Sequence, residues 1–252
     1  FKRGASKAPK QIRKSYFSPS TNLWSEDGLN LESFDRLHDL GDIDFTSVAD
    51  SSYHIKYSTQ HIIEMDSSLI CLGGDHSITF PIIEAHSQHH DQLNILHLDA
   101  HPDLYNSLEG NKDSHACPFA RIMEKKLIKR LVQAGIRTMN GHQQKQAQKF
   151  GVEVHEMKDG NKWLRDLKFD GPVYLSIDLD CLDPSFAPGV SHYEPGGMTT
   201  REVINIIQQF SGKLIGADIV EYNPDRDING MTSMVAAKLL KEIIARIYKD
   251  TI

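Results

Sequence analysis

Apolar residues along this chain gather in short runs separated by longer amphipathic stretches. Leu69–Leu72, Leu93–Leu98, Leu131–Ile136, Val173–Ile177 and Leu214–Val220 have the length and aliphatic character of strands buried on both faces. Helical candidates lie between them at Tyr57–Met65, Pro81–His89, Pro118–Lys126, Gln143–Phe150 and Arg201–Phe210. Thr199 followed three residues later by Glu202 predicts a capping box where the helix near 201 begins. Val235, Leu239, Ile243 and Ile247 form one apolar stripe along a last helix, about Ser233 to Tyr248. Residues 1 to about 50 are polar and punctuated by Pro9, Pro19, Gly28 and Gly41, so short helical pieces and loops are expected there. Strand and helix alternate without Asn-Gly hairpins between the runs. That pattern predicts an α/β fold: a central parallel sheet with helices on both faces. No repeat, low-complexity tract or linker divides the chain, and 252 residues suit one domain.

Composition narrows the function. At 39% hydrophobic and 25% charged residues the chain is of ordinary globular type. A net charge of −6 carries no electrostatic footprint for nucleic acid and tolerates a small cationic ligand better than a polyanion. Cys71, Cys117 and Cys181 are far apart and form no C-x-x-C pair. They argue against a disulfide framework and for a reducing compartment, the cytoplasm or an organelle matrix. No apolar run approaches the ~20 residues of a membrane span, and no secretory signal is visible. The chain opens at Phe1 on a basic stretch rather than a strand, so the expectation is that its natural N-terminal strand is missing.

In a parallel sheet ligands gather at the carboxyl ends of the strands, and four motifs follow apolar runs directly. After Leu69–Leu72 comes Gly73-Gly74-Asp75-His76-Ser77, whose glycines allow a tight turn that would project His76. After Leu93–Leu98 comes Asp99-Ala100-His101-Pro102-Asp103. In extended chain, positions two apart face one side, so Asp99, His101 and Asp103 are expected to converge. Asp178-Leu179-Asp180 repeats the device after Val173–Ile177, and Glu221-Tyr222-Asn223-Pro224 follows Leu214–Val220.

Each motif has a plainer reading: a glycine turn with an incidental histidine, a solvated polar loop, an ion pair or helix cap at Glu221. Pooled, however, they supply two imidazoles and four carboxylates: His76, His101, Asp99, Asp103, Asp178 and Asp180. Clustered carboxylates at buried strand ends are costly unless cations neutralise them. A zinc site usually has four ligands, often with cysteine, whereas this oxygen-rich set suits two divalent ions. The donors point to Mn²⁺ ahead of Zn²⁺, with Ni²⁺ and Co²⁺ also open. Two such ions can activate a water for hydrolysis. Glu221 is placed to pair with a planar cation, and His115 reads either as a structural hydrogen-bonder or as a proton shuttle. His86, His89 and His90 are expected at the solvated end of a helix, and Cys181 to point away from the metals.

Taken in order, the four motifs, with Leu182-Asp183-Pro184 after the third, resemble the signatures of the ureohydrolases: arginase, agmatinase and their relatives. Finer wording is similar to the plant-type arginase branch, at Glu109–His115, Phe119–Glu124, Ala187–His192 and Gly230–Thr232, so the likeness runs from about Ile70 to Leu240. The resemblance implies a three-layer α/β fold, a two-manganese centre and a homo-trimer or homo-hexamer. It implies that His76 and Asp103 bind one ion, that His101 and Asp180 bind the other, and that Asp99 and Asp178 bridge. It further implies that His115 assists proton transfer to the leaving amine and that Glu221 holds the guanidinium. Many members have His-Gly where this chain has His115-Ala116, and a threonine where His192 stands; both changes fit the plant-type branch.

The expected activity is release of urea from arginine or agmatine, leaving ornithine or putrescine, with arginine favoured and guanidinobutyrate a further choice. In this scheme Asp103 accepts a hydrogen bond from the nucleophile. The loop Leu104–Ser114 is the expected reader of the substrate tail, with Tyr105, Asn106, Asn111 and Asp113 offering hydrogen bonds and His192 near the guanidinium. No residue there is an obvious carboxylate clamp. Two alternatives carry distinct signatures: a zinc deacetylase on a similar sheet needs one metal, and a non-catalytic binding protein of this fold would release no urea.

Overall fold

The computed structural model describes residues 3–251. In chain order its main elements are α1 (Ala8–Tyr16), α2 (Val48–Glu64), β1 (Leu69–Leu72), α3 (Thr79–His86), β2 (Asn94–Leu98), α4 (Pro118–Glu124), β3 (Arg130–Ile136), α5 (Gly141–Phe150), β4 (Glu153–Glu156), β5 (Lys168–Asp178), α6 (Thr200–Gln209), β6 (Ser211–Val220) and α7 (Met231–Thr251). The strands form one parallel sheet in the order β1-β6-β5-β2-β3-β4.

Residue alternation along the strands divides the core in two. Leu96, Leu98, Leu175, Ile177, Ala217 and Ile219 face a layer containing α1, α6 and α7. Ile95, Tyr174 and Ile215 face the layer of α3, α4 and α5, with α2 against α3. Each fully buried aliphatic side chain contributes about 1.5–3 kcal/mol, which explains why predominantly apolar runs became the central strands. The capping box at Thr199 and Glu202 forms as expected. Leu239 and Ile243 of α7 are fully buried, with Val235 and Ile247 packed at the margin.

Two elements depart from the periodicity. β4 was not expected, because a half-exposed edge strand reading Glu-Val-His-Glu has no apolar run to mark it. α2 starts well before Tyr57, because its first turns lie at the surface and carry no core stripe. Gly135 sits at a register shift between β3 and β4 with φ +95°, and a Cβ there would lie 2.8 Å from the carbonyl oxygen of Asp99. That glycine lets β3 approach the end of β2 closely.

His86 corrects the surface assignment made for the 86–90 histidines. It is only 1% exposed, lies 5.2 Å from the Tyr174 ring, and neither ring nitrogen has a hydrogen-bond partner. Only His89 and His90 are part-exposed. Burial foremost, then His90 and His89, depresses the His86 pKa from 6.5 to about 3. A depressed folded-state value means that stability is complete above about pH 6.5 and falls with acidification toward pH 3, by about 1.4 kcal/mol per unit. We therefore expect His86→Leu to flatten the acid limb. Between pH 7.5 and pH 5, urea denaturation should show the parent losing about 2 kcal/mol more than the variant; parallel losses would refute the assignment of that slope to His86.

Candidate metal centre

Four neighbouring strands, β1, β6, β5 and β2, end in the same local device. A side-chain oxygen accepts the backbone N–H two residues on: Asp75 from Ser77 (3.1 Å), Asn223 from Asp225 (3.1 Å), Asp178 from Asp180 (2.8 Å) and Asp99 from His101 (2.6 Å). These turns replace the extended alternation expected for Asp99–Asp103 and Asp178–Asp180; Leu179–Cys181 is a 3₁₀ turn. The residues converge because each strand turns sharply where its ladder stops, a preference of Asp and Asn. Asp103 and Glu221 also adopt left-handed backbone conformations, φ 49° and 61°. Such conformations cost non-glycine residues about 1–3 kcal/mol and cluster at functional sites.

All six candidate ligands meet. His76 Nδ1 lies 3.1 Å from Asp103 Oδ2 and 3.3 Å from both Asp99 Oδ2 and Asp178 Oδ2. His101 Nδ1 lies 3.1 Å from Asp180 Oδ2 and 3.4 Å from Asp99 Oδ1. Asp99 thus turns one oxygen to each imidazole group, defining two adjacent loci; the one-metal alternative accounts for only one of them. The groups suit cations. Buried His76 Nδ1 has no hydrogen-bond partner despite three carboxylate oxygens around it. Ser176 Oγ gives its proton to Asp218 Oδ1 (2.7 Å), so it accepts from His76 Nε2 (2.9 Å), and in the neutral ring this leaves a lone pair on Nδ1. A lone pair beside three carboxylate oxygens repels them until a cation enters.

The electrostatics show the same conflict. Burial alone would lower the His76 pKa, yet Asp103, Asp178 and Asp99 raise it well above its ordinary value. Burial, then the charge of Asp99, pushes Asp103 up to about 7. Burial, then Asp180 and Asp99, raises Asp178 strongly. Protons and metal ions therefore compete for one set of donors.

Beneath the cluster runs a feature that the motifs did not reveal. Gln133, His97, Ser176 and Asp218 are register partners across β3, β2, β5 and β6, all fully buried. Asp218 also accepts from Thr79 (2.8 Å) and Tyr174 (3.0 Å). The available signal was a single polar residue interrupting each apolar run: Leu96-His97-Leu98, Val132-Gln133-Ala134, Leu175-Ser176-Ile177 and Ala217-Asp218-Ile219. Phe119 of α4 packs over the rings of His76 and His97, at 5.3 and 4.0 Å. Arg137 donates to the carbonyls of Asp180 (2.7 Å) and Glu194 (2.5 Å), tying the two loops together.

A cleft opens beside the cluster, lined by Asp75, Asn111, Asp113, His115, His192 and Glu221. Glu221 joins cleft and cluster: its Oε1 accepts from His76 N (3.0 Å), while burial and Asp75 push its pKa up to about 8. His115 stacks on His192 with ring centroids 5.9 Å apart, and burial foremost lowers its pKa. Burial, followed by His101 and His115, lowers His192 to about 4. Asn111 Oδ1 accepts from Asp113 N (2.9 Å), so it also shapes its own loop. Tyr105 and Asn106 do not line the cleft: Tyr105 stacks on His142 and accepts from Asn140, while the Asn106 carbonyl holds Arg121. Lys112, unassigned from sequence, does line it.

Comparison with known proteins gives the family of the chain. The Arginase family profile matches residues 1–245. The mitochondrial arginase 1 of Arabidopsis thaliana is 44% identical, covering 99% of this chain and 78% of that protein. The human mitochondrial guanidino acid hydrolase is 33% identical, covering 98% and 74%. The solved structure of arginase from Medicago truncatula superposes with a TM-score of 0.92 at 43% identity, covering 98% of this chain and 83% of that one.

Divalent metal at 100 times its Kd should add about 2.7 kcal/mol per site, or about 5–10 °C in Tm for a chain of this size. Asp103→Asn relieves like-charge repulsion, and asparagine tolerates a left-handed backbone. In thermal scans the variant should melt higher than the parent without metal and gain less from added Mn²⁺. A parent Tm indifferent to metal would remove the basis for the cluster's role.

Proposed function

The chain belongs to the arginase family, two-metal hydrolases of guanidino C–N bonds, and from that premise we propose that it hydrolyses arginine to urea and ornithine. The observation that carries this reading is Asp99, whose two oxygens face the His76 and His101 groups separately. We assign His76 and Asp103 to one ion, His101 and Asp180 to the other, and Asp99 and Asp178 between them, with Mn²⁺ as the native metal because the donors are oxygen and imidazole. Bound there, the ions supply the Lewis acidity that makes water nucleophilic near neutral pH.

The chain's own groups do the rest. Glu221, at the junction of cluster and cleft, pairs with the guanidinium. Its raised pKa falls when that cation arrives, so the carboxylate is charged in the complex. Asp103 accepts a hydrogen bond from the attacking water and fixes its direction. His115, kept neutral by burial, takes up a proton and delivers it to the departing nitrogen. The new C–O bond and the broken C–N bond leave urea and a protonated amine.

Support for arginine over agmatine comes from the α-carboxylate. Lys112 and Arg3 belong to the lining of the cleft that also holds Asn111, Asp113 and His192, and we take them as the candidate partners of that carboxylate. Following the family, we infer a homo-trimer or homo-hexamer. The relatives named as mitochondrial support an organelle matrix, in keeping with three free cysteines.

With Mn²⁺ supplied, kcat/KM should favour arginine over agmatine and guanidinobutyrate by at least about tenfold, equivalent to about 1.4 kcal/mol. Faster turnover of agmatine would overturn the substrate assignment while leaving the family reaction intact. Asp178→Asn should cut urea release on the order of 10²- to 10³-fold with an unchanged circular dichroism spectrum. Near-parental turnover in that variant would dispose of the two-ion scheme.

A further inference from the structure

We infer that Gln133 is a positioning residue for the metal centre, acting through His97 on the carboxylate of Asp99; the inference rests on the two-ion reading above. Gln133 Nε2 lies 2.7 Å from the Pro102 carbonyl oxygen and 3.0 Å from His97 Nδ1, and His97 Nε2 lies 2.8 Å from Asp99 Oδ2. All three side chains are fully buried.

The order of donors follows from one fixed point. The Pro102 carbonyl can only accept, so the Gln133 atom facing it is the amide nitrogen. The second proton of that amide points to His97 Nδ1, which must then carry a lone pair. The single ring proton of neutral His97 therefore sits on Nε2 and is donated to Asp99 Oδ2. That oxygen also faces His76, while Oδ1 accepts from His101 N and faces the His101 ring. One backbone carbonyl, between candidate ligands His101 and Asp103, thus sets the orientation of the carboxylate shared by both loci.

Two observations separate this role from ordinary packing. Gln133 Oε1 is buried without a hydrogen-bond partner. An apolar residue of similar shape would spare Oε1 but strand the Pro102 carbonyl and His97 Nδ1, so the amide is kept for its two donors. His97 also lies close enough to His76 and Asp99 to join a metal shell, but its nearer nitrogen carries the proton and cannot be a ligand. His97 is a donor to Asp99, and Gln133 makes it one.

The test uses full-length protein, ¹⁵N-histidine labelling with diamagnetic Zn²⁺ loaded, and Mn²⁺ titration followed by the EPR signal of free ion. The His97 resonance is identified by its loss in His97→Phe. The parent should show the Nε2–H tautomer. Gln133→Met removes both donors and should give mixed tautomers and an Mn²⁺ dissociation constant raised about 10- to 100-fold, with a somewhat lower metal-free Tm because the Pro102 carbonyl loses its donor. Gln133→Glu keeps the shape should the first variant fold poorly; its carboxylate calls the proton to Nδ1, with the same loss of affinity. An Nδ1–H tautomer in the parent, or parental tautomer and Mn²⁺ affinity in both Gln133 variants, overturns the inference. A parent that takes up no Mn²⁺ overturns the two-ion reading itself, and that failure is seen before any substitution is made.

Discussion

Everything at the top of this sheet follows from gathering carboxylates where water cannot reach them. Asp99, Asp103, Asp178 and Asp180 are each no more than 6% exposed and surround two imidazoles. Such a cluster is unstable by itself, since like charges at short range in a poor dielectric repel strongly. It becomes favourable when positive charge is shared among its members. The raised pKa values of Asp103 and Asp178 and the unpartnered nitrogen of His76 express that deficit.

The scaffold answers with rigidity. Parallel strands buried on both faces have no freedom to relax, so the turns at their ends are held from below. The row Gln133-His97-Ser176-Asp218 does for the ligands what an apolar core cannot, since it fixes which atom of each side chain carries a proton. Left-handed conformations at Asp103 and Glu221 add local strain at the two residues given the most specific tasks. Stability has been sacrificed at the site and recovered in the sheet, whose central strands are buried throughout the halves that lead to the site.

Cleft and cluster obey different rules. The ligands are crowded, buried and tied to strand ends, whereas Asn111, Lys112 and Asp113 stand on an exposed loop that can vary without disturbing the core. On the proposed reading, metal chemistry and substrate choice rest on separate parts of the fold, and Glu221 is where they meet.

Five of the six strands, the four motifs and the six candidate ligands were legible in the chain, because predominantly apolar runs are rare outside a buried sheet and polar groups placed after them stand out. The likeness to the ureohydrolases made the grouping sharper still. What the linear pattern could not show was how the groups meet. Local alternation suggested extended segments at Asp99–Asp103 and Asp178–Asp180, where side-chain-capped turns form instead, since Asp competes for its own backbone once the ladder ends. Edge strand β4 and the exposed start of α2 left no periodic trace. His86 looked like surface because its packing against Tyr174 comes from another element. The relay through Gln133 and His97 depends on the register of two neighbouring strands, and register is decided only when the whole sheet assembles around its core.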